Sequence, residues 1–222
     1  GAAFCAAQAP SAPLVLQLYF ACDERESRLF DEGLAAFVAG SGGAQPALLS
    51  LVLPGAGDAS ALAERSRDNG LALAMLGRAY SAAAYAFSDR YQNCNQWVAE
   101  MLALAWGGLE PGAALRPRAQ RWLREAGYEP ARLPLGSRWL LMLPLVVPWL
   151  RDDDHPREDL DALALRVSLP ASIETFVQRR DQAARRVQIC HDGERIVLRR
   201  GWVPLAGDCA AEPGDEIIAL AD

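Results

Sequence analysis

Short apolar runs and helix-spaced patterns alternate along the first third of the chain. Leu14 to Phe20 carries leucine or phenylalanine at every second position, which predicts a strand with one buried face. Ser27 to Val38 has its large apolar residues at helical spacing, so an amphipathic helix is expected there. The unbroken apolar run Leu48 to Leu53 predicts a central strand, and short helices are expected over 58–67 and 69–75. Strands and helices in this irregular order are typical of the α+β class.

The middle of the chain continues the same mixture. Tyr80 to Phe87 predicts either a strand or an extended lead-in to the next helix. That helix is expected to begin near Cys94 and to end at the glycine pair that starts with Gly107. Arg118 to Ala126 predicts a further helix, and another is expected to begin near Ser168.

A hairpin is expected close to the C-terminus. Arg186 to Cys190 and Arg195 to Arg200 flank His191-Asp192-Gly193-Glu194, whose Asp-Gly pair favours a tight turn. We therefore predict a core with the cysteine helix over residues 1–127. Residues 128–222 are expected to form a C-terminal extension packed on that core, with an apolar proline-containing segment, a helix and the hairpin.

Cys94 is the leading candidate for chemistry. It is expected in the first turn of a helix, where the helix dipole favours a thiolate, and an apolar stripe that includes Trp97 and Met101 follows it. The backbone N–H groups of the same turn could bind an oxyanion in acyl transfer. Asn93 and Asn95, its neighbours, are counted with it as candidate site residues. The alternative is that Cys94 is a small buried residue of the helix.

A cysteine nucleophile needs a base, and the chain has two histidines, His155 and His191. His155 follows three aspartates in an expected turn, and His191 lies at the expected hairpin tip. Both are weak candidates for the base, because both positions are typical of surface residues. The run from Asp152 to His155 does not predict a metal site, since consecutive side chains rarely point at one centre.

Composition narrows the function classes. The 222 residues are 51% hydrophobic, enough to bury a sizeable core. With 22 basic and 28 acidic residues the net charge is -6, which argues against nucleic acid as the partner. All 22 basic residues are arginine, so a lysine Schiff base is excluded. No cofactor is expected.

The cysteine count points to an exported protein. The five cysteines are spaced too widely for a CxxC motif. An odd count in an exported protein fits two disulfides and one free thiol, with Cys94 as the free one. Cys5–Cys22 and Cys190–Cys209 are the expected pairs, although four cysteines allow three connectivities. If all five were free, the cytoplasm would be indicated instead.

Residues 139–150 form an unusual apolar run that contains two prolines. The run is too short to span a bilayer. It is expected either to be buried or covered by a partner, or to contact a membrane surface through Trp139, Leu143 and Trp149. A cell-envelope peptide, a lipid or a protein would fit as the partner.

The sequence around Cys94 resembles a known signature. Asn93-Cys94-Asn95-Gln96-Trp97-Val98 is similar to the Asn-Cys-x-x-Phe/Trp-Val motif of the circularly permuted NlpC-type papain-like superfamily. A wider resemblance, to the bacterial domain-of-unknown-function family 2145, is carried by five stretches in order: Leu18-Tyr19-Phe20-Ala21-Cys22-Asp23, residues 85–98, Asp154-His155-Pro156, Ser168-Leu169-Pro170-Ala171-Ser172-Ile173-Glu174 and Arg200-Gly201-Trp202. The resemblance implies an exported, periplasmic protein with a permuted papain-like core. Cys94 matches the nucleophile position.

The chain departs from this resemblance at the base. In permuted papain-like proteins the base histidine precedes the cysteine, but no histidine precedes Cys94. Either a segment between Ala9 and Leu14 has been lost from the sequence as given, or the protein lacks its base. The first reading fits a cysteine amidase, peptidase or acyl hydrolase. The second fits a non-catalytic envelope-binding or structural module that retains the fold.

Overall fold

A computed structural model describes residues 4–6, 14–21, 26–33, 47–145, 147 and 149–220. The chain divides into two compact units. The first unit comprises Gly1–Leu34 and Ser60–Phe176, and the second comprises Ala35–Ala59 and Val177–Asp222. The predicted boundary at residue 127 stays a prediction.

An antiparallel sheet opens the first unit. Its strands are β1 (Phe4–Ala6), β2 (Leu14–Ala21) and β3 (Glu26–Gly33), in that spatial order. The predicted strand from Leu14 is thus confirmed as β2. Over 15–21, where burial is described, Val15 and Leu18 are buried, so burial does not follow the simple alternation that the sequence predicts.

The prediction of a helix from Ser27 to Val38 is wrong for its described part, because residues 26–33 form β3 instead. The strand pairs with β2 in the register Leu18↔Leu29 and Gln17↔Phe30. Helix-spaced apolar residues are a weak local preference, and this cross-strand pairing overrides it. Residues 34–38 lie outside the described part of the chain.

Apart from that one, the predicted helices are present, and the sequence does not predict the additional short helix Arg157–Asp161. The described helices are α1 (Ala56–Arg67), α2 (Asn69–Ala74), α3 (Cys94–Trp106), α4 (Leu115–Glu125), α5 (Arg157–Asp161) and α6 (Pro170–Arg180). Within 80–87 the backbone forms isolated bridges at Tyr80 and Tyr85 with turns at 82–83 and 86–87, so neither a strand nor a continuously extended lead-in is present. A 3-10 helix (Arg138–Leu145) lies between two short paired strands, β5 (Ala131–Pro134) and β6 (Ala164–Val167).

The helix α3 lies at the centre of the first unit. Every residue from Asn95 to Ala105 is buried, and the indole N–H of Trp97 donates to the carbonyl of Ala72 at 3.3 Å. The helix α4 and the strand β2 lie beside it. The core around α3 fixes the position of its first residue, Cys94.

The second unit is built on an antiparallel sheet in the order β4 (Ala47–Leu53), β7 (Arg185–His191), β8 (Arg195–Arg200) and β9 (Glu216–Ala219). The predicted hairpin is confirmed as β7–β8, with Asp192 Oδ1 accepting backbone N–H groups in the turn. Among the described strands, β4 is paired on one side only, so it is an edge strand rather than the predicted central strand.

The predicted Cys190–Cys209 disulfide is present and buried. Cys22 and the side chain of Cys5 lie outside the described residues.

The fold is therefore α+β, with antiparallel sheets and helices. No helix within the described ranges is long and apolar enough to cross a membrane.

Candidate functional site

Cys94 is the first residue of α3, and Asn93 caps the helix. Asn93 has an extended backbone, and its Oδ1 accepts the N–H of Gln96 at 2.7 Å. This is standard N-cap chemistry, so the candidate residue Asn93 has a defined structural role. Cys94 is half-buried and is the free cysteine of the described chain. Its thiol is thus held at the helix start.

Two backbone donors lie at the same helix start. The first N–H groups of a helix have no partner inside the helix. The N–H of Gln96 is satisfied by Asn93, whereas those of Cys94 and Asn95 have no acceptor among the described residues. The side chain of Asn95 turns inward and donates to the carbonyl of Ser168 at 3.1 Å. Within the described part of the chain, Cys94 and Asn95 therefore contribute a pair of unsatisfied N–H donors at the start of the helix.

Tyr80 faces the Cys94 thiol. A parallel bridge between Tyr80 and Gln92 sets its backbone, and its ring stacks on Phe20 of β2 with the centroids 5.1 Å apart. Burial, followed by the interaction with Cys94 and the proximity of Tyr19, raises the pKa of Tyr80 to about 12. The phenol therefore keeps its proton at neutral pH. It can donate a hydrogen bond toward the sulfur, but it cannot serve as the base.

His155 is buried, contrary to the expected surface position. Its Nε2 lies 2.7 Å from the carbonyl oxygen of Ala83, and its Nδ1 lies 3.4 Å from Oδ2 of Asp159. A carbonyl only accepts, so Nε2 carries a hydrogen. Asp159 is held in turn by the guanidinium of Arg166 at 2.8 Å. The ring nitrogens are thus engaged by Ala83 and Asp159 rather than by Cys94.

The reason for this burial is the turn that precedes His155. Oδ2 of Asp154 accepts the backbone N–H of Tyr85 at 3.2 Å, and Asp153 pairs with Arg90 at 2.8 Å. These contacts hold the acidic run against the unit, although the side chain of Asp153 stays more than half exposed. Burial raises the pKa of Asp154 despite the opposing influence of His155 and of the hydrogen bonds with Ser88 and Tyr85.

His191 is the last residue of β7, where it pairs with Ala47 and Ile196. It is half-buried and belongs to the second unit, whereas Cys94 belongs to the first. The described residues include no group of three or more His, Cys, Asp or Glu side chains that could hold a metal ion.

Glu100 lies two turns after the cysteine and has no exposed surface. Its Oε2 accepts from Gln92 at 2.6 Å and from Nε of Arg116 at 2.8 Å. Its Oε1 accepts from Gln120 at 2.7 Å and from Gln96 at 3.1 Å. The carboxylate is therefore saturated with donors, as a buried charge requires.

Arg116 extends this network to the segment before the cysteine. Its guanidinium donates to the carbonyl oxygens of Asp89 at 2.8 Å and of Ser88 and Tyr91 at 3.1 Å. These residues lead directly into the cap of α3. Arg116 thus connects the segment 88–91, which precedes Cys94, to Glu100 in the middle of α3.

Sequence reasoning missed Tyr80, Glu100 and Arg116. A signal existed for Glu100, which is the lone acidic residue in a long apolar helix and lies four residues after Gln96. Tyr80 gave no local signal, because only the bridge to Gln92 brings it to the cysteine.

Comparison with known proteins gives one family. No curated protein matches the chain. No solved structure matches it either. The profile of one family matches residues 2–177, a span that includes Tyr80, Cys94, Glu100 and His155 and ends before His191. The chain therefore belongs to DUF2145, a family described as uncharacterized protein conserved in bacteria.

Proposed function

We propose that this protein is an exported cysteine hydrolase that cleaves an amide or ester bond through Cys94. The observation that carries the proposal is the surroundings of the sulfur. A free, half-buried thiol lies at the start of α3, beside the unsatisfied N–H groups of Cys94 and Asn95 and facing the protonated hydroxyl of Tyr80. Such donors stabilise a thiolate and an oxyanion alike.

The reaction uses these groups in a defined order. The Cys94 thiolate attacks the substrate carbonyl, and the N–H pair receives the negative oxygen. The bond to the leaving group then breaks, the leaving amine or alcohol takes up a proton, and a thioester remains on Cys94. Water hydrolyses the thioester and returns the thiol. The thiol proton passes to solvent in this scheme, since the contacts of His155 with Ala83 and Asp159 assign it to holding the loop.

A permuted papain-like core is part of this proposal. The Asn93-Cys94 motif opens a buried helix beside the strand β2, and a cysteine at such a position is what the resemblance to NlpC-type proteins implies. No histidine precedes Cys94 in this sequence, and the residues between Ala9 and Leu14, where a segment that carries the base could be missing, lie outside the described ranges.

The disulfide supports the proposed location. Cys190–Cys209 is compatible with an exported protein, since disulfides persist in oxidising compartments. We place the protein in the bacterial periplasm. Cell-wall peptides and lipids are the amide and ester substrates found there.

Labelling and hydrolysis together test the proposal. Iodoacetamide should label Cys94 below pH 8, and a p-nitrophenyl ester or cell-wall peptide should be hydrolysed with a transient acyl adduct on Cys94, detected by mass spectrometry. Cys94→Ala should show neither the labelling nor the hydrolysis. Tyr80→Phe should still form the acyl adduct, but more slowly. Full hydrolysis by Cys94→Ala would falsify the catalytic role.

A specific observation favours a second function, a binding module without catalysis. Among the described contacts, both ring nitrogens of His155 are engaged by Ala83 and Asp159, so this histidine does not contact the thiol. In that case Cys94 should resist iodoacetamide in the folded protein. Cys94→Ala should then retain its affinity for envelope peptides, measured by calorimetry.

A further inference from the structure

The apolar segment that follows β5 is anchored at both ends. The N–H of Leu135 donates to the carbonyl of Leu163 at 2.7 Å. Leu135 and Leu150 both pack against the buried cluster that contains Leu165 and Val167. The segment therefore leaves this cluster and returns to it, which anchors the described residues 138–142 between two packed positions.

The 3-10 helix between these anchors carries an exposed apolar stripe. Residues three apart are eclipsed in a 3-10 helix, so Trp139 and Met142 lie on one line. Their exposed fractions are 77% and 50%, and Leu140 beside them is 40% exposed. We call Trp139, Leu140 and Met142 the apolar tip. The side chain of Leu143 lies outside the described residues, and Trp149 is 45% exposed near the second anchor.

The stretch of sequence that carries the apolar tip is basic. Residues 130–151 contain three arginines and no aspartate or glutamate, in a chain whose net charge is -6. Arg132 and Arg138 are exposed. In the acidic run that follows, Asp153 is paired with Arg90 at 2.8 Å. The tip therefore combines exposed apolar side chains with exposed cations that are not matched by acidic residues of the same stretch.

We propose that the apolar tip docks on a bilayer surface that contains anionic phospholipids. Tryptophan favours the boundary between headgroups and acyl chains, which suits Trp139. Met142 would enter the same boundary, while Arg132 and Arg138 contact lipid phosphates. The contact is superficial, because a single helical turn buries little apolar area. It uses no residue of the Cys94 site, so it stands independently of the proposed hydrolase activity.

Vesicle sedimentation of the full chain tests the proposal. The protein should sediment with vesicles of phosphatidylglycerol mixed with phosphatidylcholine, and much less with phosphatidylcholine alone. Added salt should release it, since a charged surface is screened. Trp139→Ala combined with Met142→Ala should abolish sedimentation. Arg132→Gln and Arg138→Gln should each weaken it by about fivefold.

Matched control variants distinguish docking of the apolar tip from nonspecific hydrophobic adsorption and from misfolding. Val203 and Ile217 are exposed apolar residues of the second unit, at 65% and 55%. Val203→Ala and Ile217→Ala should sediment like the parent protein. Circular dichroism should be unchanged for all variants, because every substituted side chain is exposed. Absence of sedimentation with anionic vesicles overturns the proposal, and so does undiminished sedimentation of the Trp139→Ala, Met142→Ala protein. Binding of the apolar tip to a protein but not to vesicles also overturns it.

Discussion

Glu100 and Arg116 meet at 2.8 Å in the interior of the first unit, with no exposed surface on the carboxylate and little on the guanidinium. Buried ion pairs are retained only when further hydrogen bonds satisfy both groups. Here Gln92, Gln96 and Gln120 complete the shell of the carboxylate. The guanidinium turns its remaining donors to the backbone that leads into Cys94.

Breaking this pair should strongly destabilise the protein. Arg116→Ala leaves the Glu100 carboxylate buried without its counter-charge, so the free energy of unfolding should fall by about 3 to 5 kcal/mol. Urea denaturation followed by circular dichroism measures the loss. Arg90→Ala is the matched control, because Arg90 and Asp153 pair at a similar 2.8 Å with both side chains more than half exposed. That variant should lose at most about 1 kcal/mol, and an equal loss in the two variants would contradict the assignment.

Arg116 should also affect the thiol. Arg116→Lys keeps the positive charge but cannot donate to Ser88, Asp89 and Tyr91 at once. The segment 88–93 before Cys94 should therefore be held less firmly. Alkylation of Cys94 should slow, and ester hydrolysis should fall by up to about 100-fold, since small displacements of a nucleophile are costly.

The control for that experiment lies on the same helix. Arg121 is exposed on α4, and Arg121→Lys should react at the parental rate. If Arg116→Lys lowered the unfolding free energy yet left both rates unchanged, the network would be structural only.

The parts of the site that the sequence predicts are those fixed by neighbouring residues. The start of α3 could be predicted because an N-cap depends on a few adjacent positions, and Asn93 supplies it. The hairpin after β7 could be predicted because Asp192 and Gly193 form its turn locally. The α+β class follows from such local elements.

The rest depends on pairing between distant segments. The residues 26–33 become a strand because β2 supplies partners for their backbone, which the spacing of Leu29 and Phe30 does not reveal. Tyr80 reaches the thiol through a bridge to Gln92, and His155 is buried through contacts with Ala83, more than seventy residues away in sequence. Neither contact has a local signature.

Gly77 should not tolerate a side chain. A Cβ at this position would lie 2.8 Å from Cβ of Gln92 and 3.0 Å from the guanidinium of Arg116, both held by the Glu100 network. Gly77→Ala should therefore cost about 1 to 3 kcal/mol of unfolding free energy through overpacking, measured by urea denaturation. Gly57→Ala is the control, since nothing lies within 4 Å of a Cβ at that helical position. A Gly77→Ala protein as stable as the control would show that Gln92 and Arg116 can shift to accept the added methyl group at no measurable cost.

The disulfide should contribute to the stability of the second unit. Cys190 and Cys209 are 19 residues apart in sequence, and closing a loop of this size stabilises a fold by about 3 kcal/mol. Cys190→Ala combined with Cys209→Ala should lower the unfolding free energy by that amount, and reduction of the parent protein should reproduce the loss. Peptide mapping of the unreduced protein should find these two residues joined. Alkylation of both in the native, unreduced protein would contradict the pairing.

Acid should weaken the second unit through Asp215. Its carboxylate accepts from Nε and Nη2 of Arg199 at 2.9 and 2.7 Å and from the N–H of Glu212 at 2.7 Å. The hydrogen bond from Arg199, then the one from Glu212, lowers the pKa of Asp215 from 3.8 to about 2. A carboxyl whose pKa is depressed by folding stabilises the fold above its unfolded pKa, and this contribution disappears as the pH falls through its folded value.

The stabilisation from Asp215 should therefore be complete near neutral pH and be lost as the pH falls from about 4 toward about 2. Urea midpoints measured across this range should fall less steeply for Asp215→Asn than for the parent protein, because the amide does not titrate. Glu216→Gln is the control, since the contact of Glu216 with Arg200 is 3.5 Å long and exposed on both sides, so it should follow the parent profile. Coincident acid profiles for Asp215→Asn and the parent would mean that the pair with Arg199 gives the fold no pH-dependent stability.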